Sequence, residues 1–323
     1  MTLAQLQSFV LVARHGSVKA AAAELEVTEP AVSVAVSALR KELGDELFVR
    51  SGRGIALTPG GRRLAALATE ILGLAEQARR SVAESAESRR LTVLTTPLVA
   101  EHIGPLLERF AARDDSLEIT VATAPGASFA EALEHRRTDI ALGPSPGTAT
   151  SIASAPFLRC RLILVAAPSH PLASGRALTP AALAEERWLS GQPELDPAEG
   201  TGAFLARHGL TPPVATYSSS AAAIAAAAAG EGVLLTLAHA VVEEVRRRAL
   251  VRLDVRGTPI VEMWHASTLG LGRALPAALA LQRFATTPEA TQAISTGRAG
   301  AVSSPARPKV HVTLWQSVAA RGG

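Results

Sequence analysis

From Leu91 onward, short apolar runs alternate with helix-length amphipathic stretches. The runs 91-LTVLTT-96, 117-LEITVAT-123, 139-DIALG-143, 161-RLILVAA-167, 214-VATY-217, 233-VLLTL-237, 250-LVRL-253 and 260-IVEMWHA-266 read as strands. Helical patterns cover 98–113, 128–136, 219–229, a stretch ending at Arg248, and 273–284. Strands separated by helices are not joined as hairpins, because each helix carries the chain across one face of the sheet. The alternation therefore predicts parallel strands covered by helices, an α/β region over residues 91–285.

Residues before Leu91 have a different texture. Leu3, Leu6, Phe9, Val10 and Ala13 recur at helical spacing and predict a helix over residues 2–14, closed at Gly16. Ser17 caps a second short helix, 18-VKAAAAEL-25, and the turn 26-EV-27 leads to a third over 28–43. Thr28 stands at its N-cap, Pro30 in its first turn and Gly44 at its C-terminal cap. Val32, Val36, Leu39 and Leu43 form its apolar stripe, so Ser33, Val34, Ser37 and Lys41 face outward, with Thr28 and Glu29 at the leading end. Every side chain from Ala31 to Ala38 is small, although Val and Ser are weak helix formers. A helix left bare of bulk lets something large come close, and the floor of a DNA major groove fits that description.

Two short strands, 47-LFVR-50 and 55-IALT-58, flank 51-SGRG-54, a hairpin with Arg53 at its tip. Such a wing offers Arg53 to a minor groove or phosphate, with Arg50 second; Arg40 and Lys41 near the helix end suit backbone phosphates. Thr58-Pro59 then opens a helix of nearly 30 residues, with Leu64, Leu67, Ile71, Leu74 and Ala78 at spacings of three and four. That seam predicts pairing with a second copy of itself. Charge alone would not announce a nucleic-acid partner, since residues 1–90 hold 12 Lys and Arg against 10 Asp and Glu.

Other classes are excluded on chemistry. A single cysteine, Cys160, allows no intrachain disulfide and no Cys-based zinc cluster, and no two histidines stand at ligand spacing. Neither a metal nor a cofactor is expected. The N-terminus lacks a basic segment followed by an apolar one, and the Ala run 221–229 is too short to span a bilayer, so the cytoplasm is the expected address. The run 143-GPSPG-147 matches a nucleophile elbow in letters only, because no apolar helix follows Ser145. The pair 270-GLG-272 lacks the third glycine of a dinucleotide loop, and Cys160 sits between apolar strands as a core residue. Catalysis is not expected.

Residues 3–64 resemble the DNA-binding segment of LysR-type transcriptional regulators. The likeness rests on Leu6, Phe9, Val12, Ala13, 16-GS-17, Ala21-Ala22, Leu25, Val27, 30-PAVS-33, Leu39, 43-LG-44, 47-LF-48, Arg50, 57-LT-58 and Gly60. To about residue 285 the chain continues the likeness through 105-PLL-107, Phe110, 139-DIALG-143, 170-HPLA-173 and 230-GEGVLLTL-237. It departs at the reading helix, where Glu29, Val34, Ala35 and Arg40 replace the family's usual Gln, Arg, Gln and Glu. Glu29 in place of Gln favours a cytosine amino group, and Val34 cannot neutralise a phosphate. The resemblance implies a winged helix-turn-helix over 1–58, a dimerising linker helix over 59–89 and a two-lobed, periplasmic-binding-protein-like effector domain over 90–287. Lobe I would hold 90–160 and 265–287, and lobe II 161–264, with the chain crossing at 161–165 and 260–264. Residues 288–323, rich in Ser, Thr, Gly and Pro, read as an unstructured tail, with 309-KVHVTLW-315 as a possible strand.

Between two such lobes, strand ends and helix N-termini face one crevice, where backbone N–H groups favour anions. The hydroxyl-rich candidates are Thr95, Thr96 and Pro97, Ser128, and Ser218, Ser219 and Ser220, which suit an anionic metabolite as co-inducer. Promoter DNA, the small effector, a second or fourth copy of the chain and RNA polymerase are the implied partners, with no membrane. A solute-binding or enzymatic α/β protein with an incidental helical N-terminus is the competing possibility.

Overall fold

The computed structural model describes residues 1–51, 54–83, 89–147, 150–192, 194–270, 272–296 and 310–313. The chain divides into two compact units, Met1–Ala86 with Glu131–Arg137, and Glu87–Ala130 with Thr138–Gly323.

The N-terminal elements are α1 (Leu3–His15), α2 (Val18–Glu24), α3 (Glu29–Leu43), β1 (Phe48–Ser51), β2 (Gly54–Leu57) and α4 (Pro59–Ala83). Thr2 and Gln5 form a reciprocal capping box at the start of α1, and Ser17 caps α2 by accepting from the Ala20 N–H. Gly44 ends α3 at φ 66°, a conformation that other residues adopt only with strain. Leu6, Phe9, Ala21, Val32, Leu39, Leu47 and Ala68 are fully buried together, with Leu57 and Leu64 packed against them. The expected stripe of α3 is one residue shorter than its spacing suggests: Val32, Val36 and Leu39 are buried, whereas Leu43 in the last turn is 43% exposed. The helix ends there, so its final apolar position is only partly covered.

A polar knot fastens the β1–β2 hairpin to both neighbouring helices. Asp45 Oδ1 accepts from the Leu47 N–H at 2.7 Å and from the Thr58 hydroxyl at 2.8 Å. The Thr58 hydroxyl in turn accepts from the Gly61 N–H at 2.8 Å, capping α4. Backbones approach so closely here that a Cβ on Gly61 would lie 2.1 Å from the Leu47 carbonyl oxygen.

From residue 89 the elements are β3 (Arg89–Thr95), α5 (Pro97–Ala111), β4 (Leu117–Thr123), α6 (Phe129–Glu134), β5 (Ile140–Gly143), β6 (Ile152–Ala166), β7 (Trp188–Ser190), α7 (Gly200–His208), β8 (Val214–Thr216), α8 (Ser220–Ala228), β9 (Val233–Leu237), α9 (Val242–Arg246), β10 (Val251–Arg252), β11 (Ile260–Leu269), α10 (Pro276–Ala285), α11 (Pro288–Thr296) and β12 (Val310–Thr313). The sheet runs β12-β4-β3-β5-β11-β6-β9-β7-β8, with β10 added on β6. Pairs β3–β4, β3–β5, β7–β9 and β7–β8 are parallel as expected, while β11 pairs antiparallel with β6 along its whole length, over residues 152–162 of β6. These two long strands join the halves of the sheet, and the expected crossings at 161–165 and 260–264 lie within them.

Three departures have local causes. β6 begins nine residues before the run that spacing marks out, because Pro156 reads as a strand breaker. The structure tolerates it at a bulge: Leu158 pairs with Trp264 and Pro156 with His265, leaving Phe157 as the extra residue. The strand β7 and helix α7 have little periodic signal, three residues and a Gly-containing start respectively. Finally, 288–296 is no loose tail. Pro288 starts α11, whose Ala290, Ala293 and Ile294 are buried against the core, and residues 310–313 pair in parallel with β4. Glu289 at the head of α11 meets Arg113 at 2.5 Å, and that guanidinium lies 4.2 Å from the Phe284 ring centre. Short polar residues on one face of 288–296 conceal an apolar face made only of Ala and Ile.

Candidate functional site

On α3, Thr28, Glu29, Pro30, Ser33, Val34, Ser37 and Lys41 are all exposed, and Val34 keeps 69% of its surface open. The helix thus presents a continuous strip of short side chains opposite its buried stripe. Thr28 makes no side-chain cap bond, so its hydroxyl is not committed to the helix. Arg40 is half-buried and ion-paired with Glu46, which leaves Lys41 as the more open cation of the last turn. β1 and β2 pair antiparallel with Arg50 opposite Ile55, forming the body of the wing. Arg53 lies outside the described residues.

The seam of α4 divides along its length. Leu64 and Leu72 pack on the core of α1 to α3, whereas Leu67 is 58% and Leu74 54% exposed, with Ile71 and Ala78 also open. Val82 continues the same apolar side toward the end of the helix. An amphipathic helix with its outer stripe this open has a partner surface still to cover it.

In the second unit, three helix N-termini converge on a cavity of about 30 Å³ lined in part by Leu98 of α5, Gly200 and Thr201 of α7, Ser220 of α8, and Ser190 and Gln192. Gly191 makes the convergence possible, because a Cβ there would come within 2.3 Å of the Ser220 nitrogen. Thr96 caps α5 and, fully buried, donates its hydroxyl to Glu199 Oε1 at 2.8 Å. Ser220 donates its N–H to Glu101 Oε2 at 3.2 Å. Glu262 lies close to the Gly200 N–H and to Arg207, both of which favour its charged form against burial. Of the expected set, Ser220 lines the cavity, while Thr96 lies behind it at the head of α5 and is committed to Glu199. Ser219 caps α8 through the Ala222 N–H, Pro97 and Ser218 are exposed, and Ser128 bonds the Pro125 carbonyl away from the cavity lining. The Thr95 hydroxyl is fully buried and donates to the Leu142 carbonyl at 2.8 Å, which ties β3 to β5.

The carboxylates escaped the sequence analysis. Glu199 is only 9% exposed, and burial, with Glu262 and Asp196 nearby, pushes its carboxyl up to about 7 against the Thr96 hydrogen bond. Burial also raises Glu101 and Glu262. His102 on α5 and His239 stack edge-to-face at 5.1 Å, and burial, then His239, brings His102 down to about 4. His239 is likewise lowered by burial, so neither ring supplies positive charge near neutral pH. Cys160 is buried with its thiol pushed up to about 12, chiefly by burial, and is not poised as a nucleophile. Glu199 carries a weak signal in sequence, as an acid directly before a Gly-containing helix start; Glu101 and Glu262 carry none.

Comparison with known proteins matches residues 3–62 to the family model described as bacterial regulatory helix-turn-helix protein, lysR family, and residues 84–287 to the LysR substrate binding domain. The chain is 40% identical to the uncharacterized HTH-type transcriptional regulator Rv0377 of Mycobacterium tuberculosis, covering 98% of this chain and 100% of that protein. It is 31% identical to the HTH-type transcriptional regulator CfxR of Cupriavidus necator, over 86% of this chain and 88% of that one. Among solved structures, the probable transcriptional regulator PA0477 from Pseudomonas aeruginosa shares the fold, with a TM-score of 0.51 at 23% identity over 88% of this chain and 96% of that chain.

Proposed function

This chain belongs to the LysR family of bacterial transcriptional regulators, and from that premise we propose how its surfaces divide the work. The exposed strip of α3 enters the major groove of promoter DNA. Ser33, Val34 and Ser37 allow close seating, Thr28, Glu29 and Pro30 stand at the leading end, and Arg40 and Lys41 approach the backbone. The wing carries Arg50 and Arg53 to the flanking backbone or minor groove. The open seam of α4 pairs with the same seam of a second subunit, which sets two reading helices at a fixed spacing, and dimers can associate further into tetramers.

The crevice between α5, α7 and α8 takes a small effector, with Ser220 and Thr96 among its contacts and Thr95, Pro97, Ser218 and Ser219 in the segments that lead to them. An occupant that binds one arrangement of the lobes more tightly shifts the population of DNA-binding states. RNA polymerase is a further partner at the promoter, the cytoplasm is the place of action, and no catalytic step is assigned to the protein. Among the described residues, no helix is long and apolar enough to cross a membrane.

The observation that carries the DNA assignment is the bare outer face of α3 opposite a fully buried Val32 and Leu39. Retention of the DNA upstream of the chain's own coding region tests it. Ser33→Glu and Arg53→Ala should each weaken binding, the first by placing bulk and negative charge against the groove floor. If neither substitution reduces retention, the reading-helix assignment fails.

A further inference from the structure

The sheet of the second unit has two halves: β4, β3 and β5 lie on one side of the β6–β11 ribbon, and β9, β7 and β8 on the other. Helix α5 follows β3 in the first half, yet side chains from its cap and first turns reach the second. Thr96 donates to Glu199 at 2.8 Å, Glu101 accepts from the Ser220 N–H at 3.2 Å, and the His102 ring meets that of His239 at 5.1 Å. Their partners stand just before α7, at the head of α8 and in the 3-10 turn Ala238–Val241 after β9. A Cβ on Gly200 would lie 3.8 Å from Leu98 Cδ2, so apolar contact joins the polar ones. We propose that this face of α5 is a latch that holds the two halves of the sheet together, and that its release changes the affinity for DNA. The regulatory part rests on the reading of this crevice as the effector site.

Each contact that favours closure is matched by a group that closure leaves poorly solvated. The bond from Thr96 to Glu199 is buried, where hydrogen bonds are strong. The Glu199 carboxyl nevertheless sits near Asp196 and Glu262, with Cys160 beside it and Arg207 next to Glu262, and burial leads in pushing it up to about 7. Opening returns that carboxyl to water and relieves the cost of its charge. At the ring contact, burial lowers both imidazoles, so neither carries charge near neutral pH. His239 Nε2 is buried and, among the described residues, has no hydrogen-bond partner. Water reaching it on opening would satisfy it. Two hydrogen bonds and a ring contact thus oppose two desolvated groups. Opposition of this kind keeps the gap between closed and open small enough for a ligand to shift.

The test uses the full chain, spin-labelled at Glu108→Cys on α5 and Ala225→Cys on α8, two exposed positions, while Cys160 stays buried. Labelled chain is diluted into unlabelled chain so that pulsed EPR reads distances within one chain. Cooperative thermal unfolding shows that each variant is folded. Thr96→Val combined with Glu101→Leu should lengthen and broaden the distance and change retention of the upstream DNA by about fivefold or more. The conservative pair, Thr96→Ser with Glu101→Gln, keeps a donor and an acceptor and should return both readouts to those of the wild type. In the Glu101→Leu single variant at pH 8, adding Glu199→Gln should recover part of the short distance, because it removes the charge that opposes closure. Identical distances in the wild type and the first double variant overturn the latch and leave the crevice assignment standing. Equal lengthening in the conservative pair overturns it too, since packing and not hydrogen bonding would then hold the halves. If the distances lengthen while DNA retention stays the same, closure does not reach the DNA, and the regulatory reading of the crevice falls with the coupling.

Discussion

Glu199 shows most plainly what a single position does in this protein. Its carboxyl is held at about 7 against an ordinary 4.5, so the charged form is disfavoured in the folded chain. The sign follows from linkage: the cost is absent below the unfolded value, grows as pH rises between the two, and is complete above the folded value. Glu199→Gln keeps an oxygen to accept from Thr96 while removing the charge. Its unfolding temperature should exceed that of the wild type at pH 8, by an amount worth up to about 3 kcal/mol, and the gap should close toward pH 4.5. Equal stability of the two proteins at pH 8 would show that the carboxylate is solvated after all. Asp45 behaves in the opposite sense: hydrogen bonds from the Leu47 N–H and the Thr58 hydroxyl hold its carboxyl below the usual range. Its contribution is present at neutral pH and is lost as pH falls through that lowered value. The Glu199 role is not legible locally, because Thr96 comes from elsewhere in the fold, whereas Asp45 draws one of its two partners from Leu47 just beyond it.

Among the elements, α4 and α11 make contrasting cases. The seam of α4 is legible because its spacing persists over several turns, and the structure leaves Leu67 and Leu74 on the open side. A Leu67→Glu, Leu74→Glu variant should sediment as a monomer and lose DNA binding in parallel, since charge at a coiled seam is costly to bury. An unchanged sedimentation coefficient would place the subunit contact elsewhere. α11 was hidden by composition, its apolar face reduced to Ala290, Ala293 and Ile294. Ile294→Ala should nonetheless cost roughly 2–4 kcal/mol in denaturant unfolding, because the side chain is 2% exposed and leaves a void. The start of β6 was hidden for another reason: a bulge at Phe157 lets the strand pass through Pro156, and bulges depend on the opposing strand, here β11.

For the molecule as a whole, a reading helix with Glu29 and Val34 in place of the family's usual polar residues implies a modest electrostatic share of DNA affinity. With Arg40 paired to Glu46, the slope of log affinity against log salt should correspond to fewer than about eight phosphate contacts per dimer. A steeper slope would mean that cations outside α3 dominate the contact.

What the chain's order of residues determined unaided was periodic or local. Repeating apolar positions, caps and glycine stops specify the winged helix-turn-helix, the long seam and the alternation of strands and helices, because each signal is complete within a few turns. The tertiary structure alone decided which polar groups meet. Glu101, Glu199 and Glu262 stand on separate elements, and only folding around the paired β6 and β11 brings them to the same three helix ends. An isolated acid in sequence reads as a solvated surface charge. Burial beside other acids is a property of contacts, and it is what holds the Glu199 carboxyl at about 7.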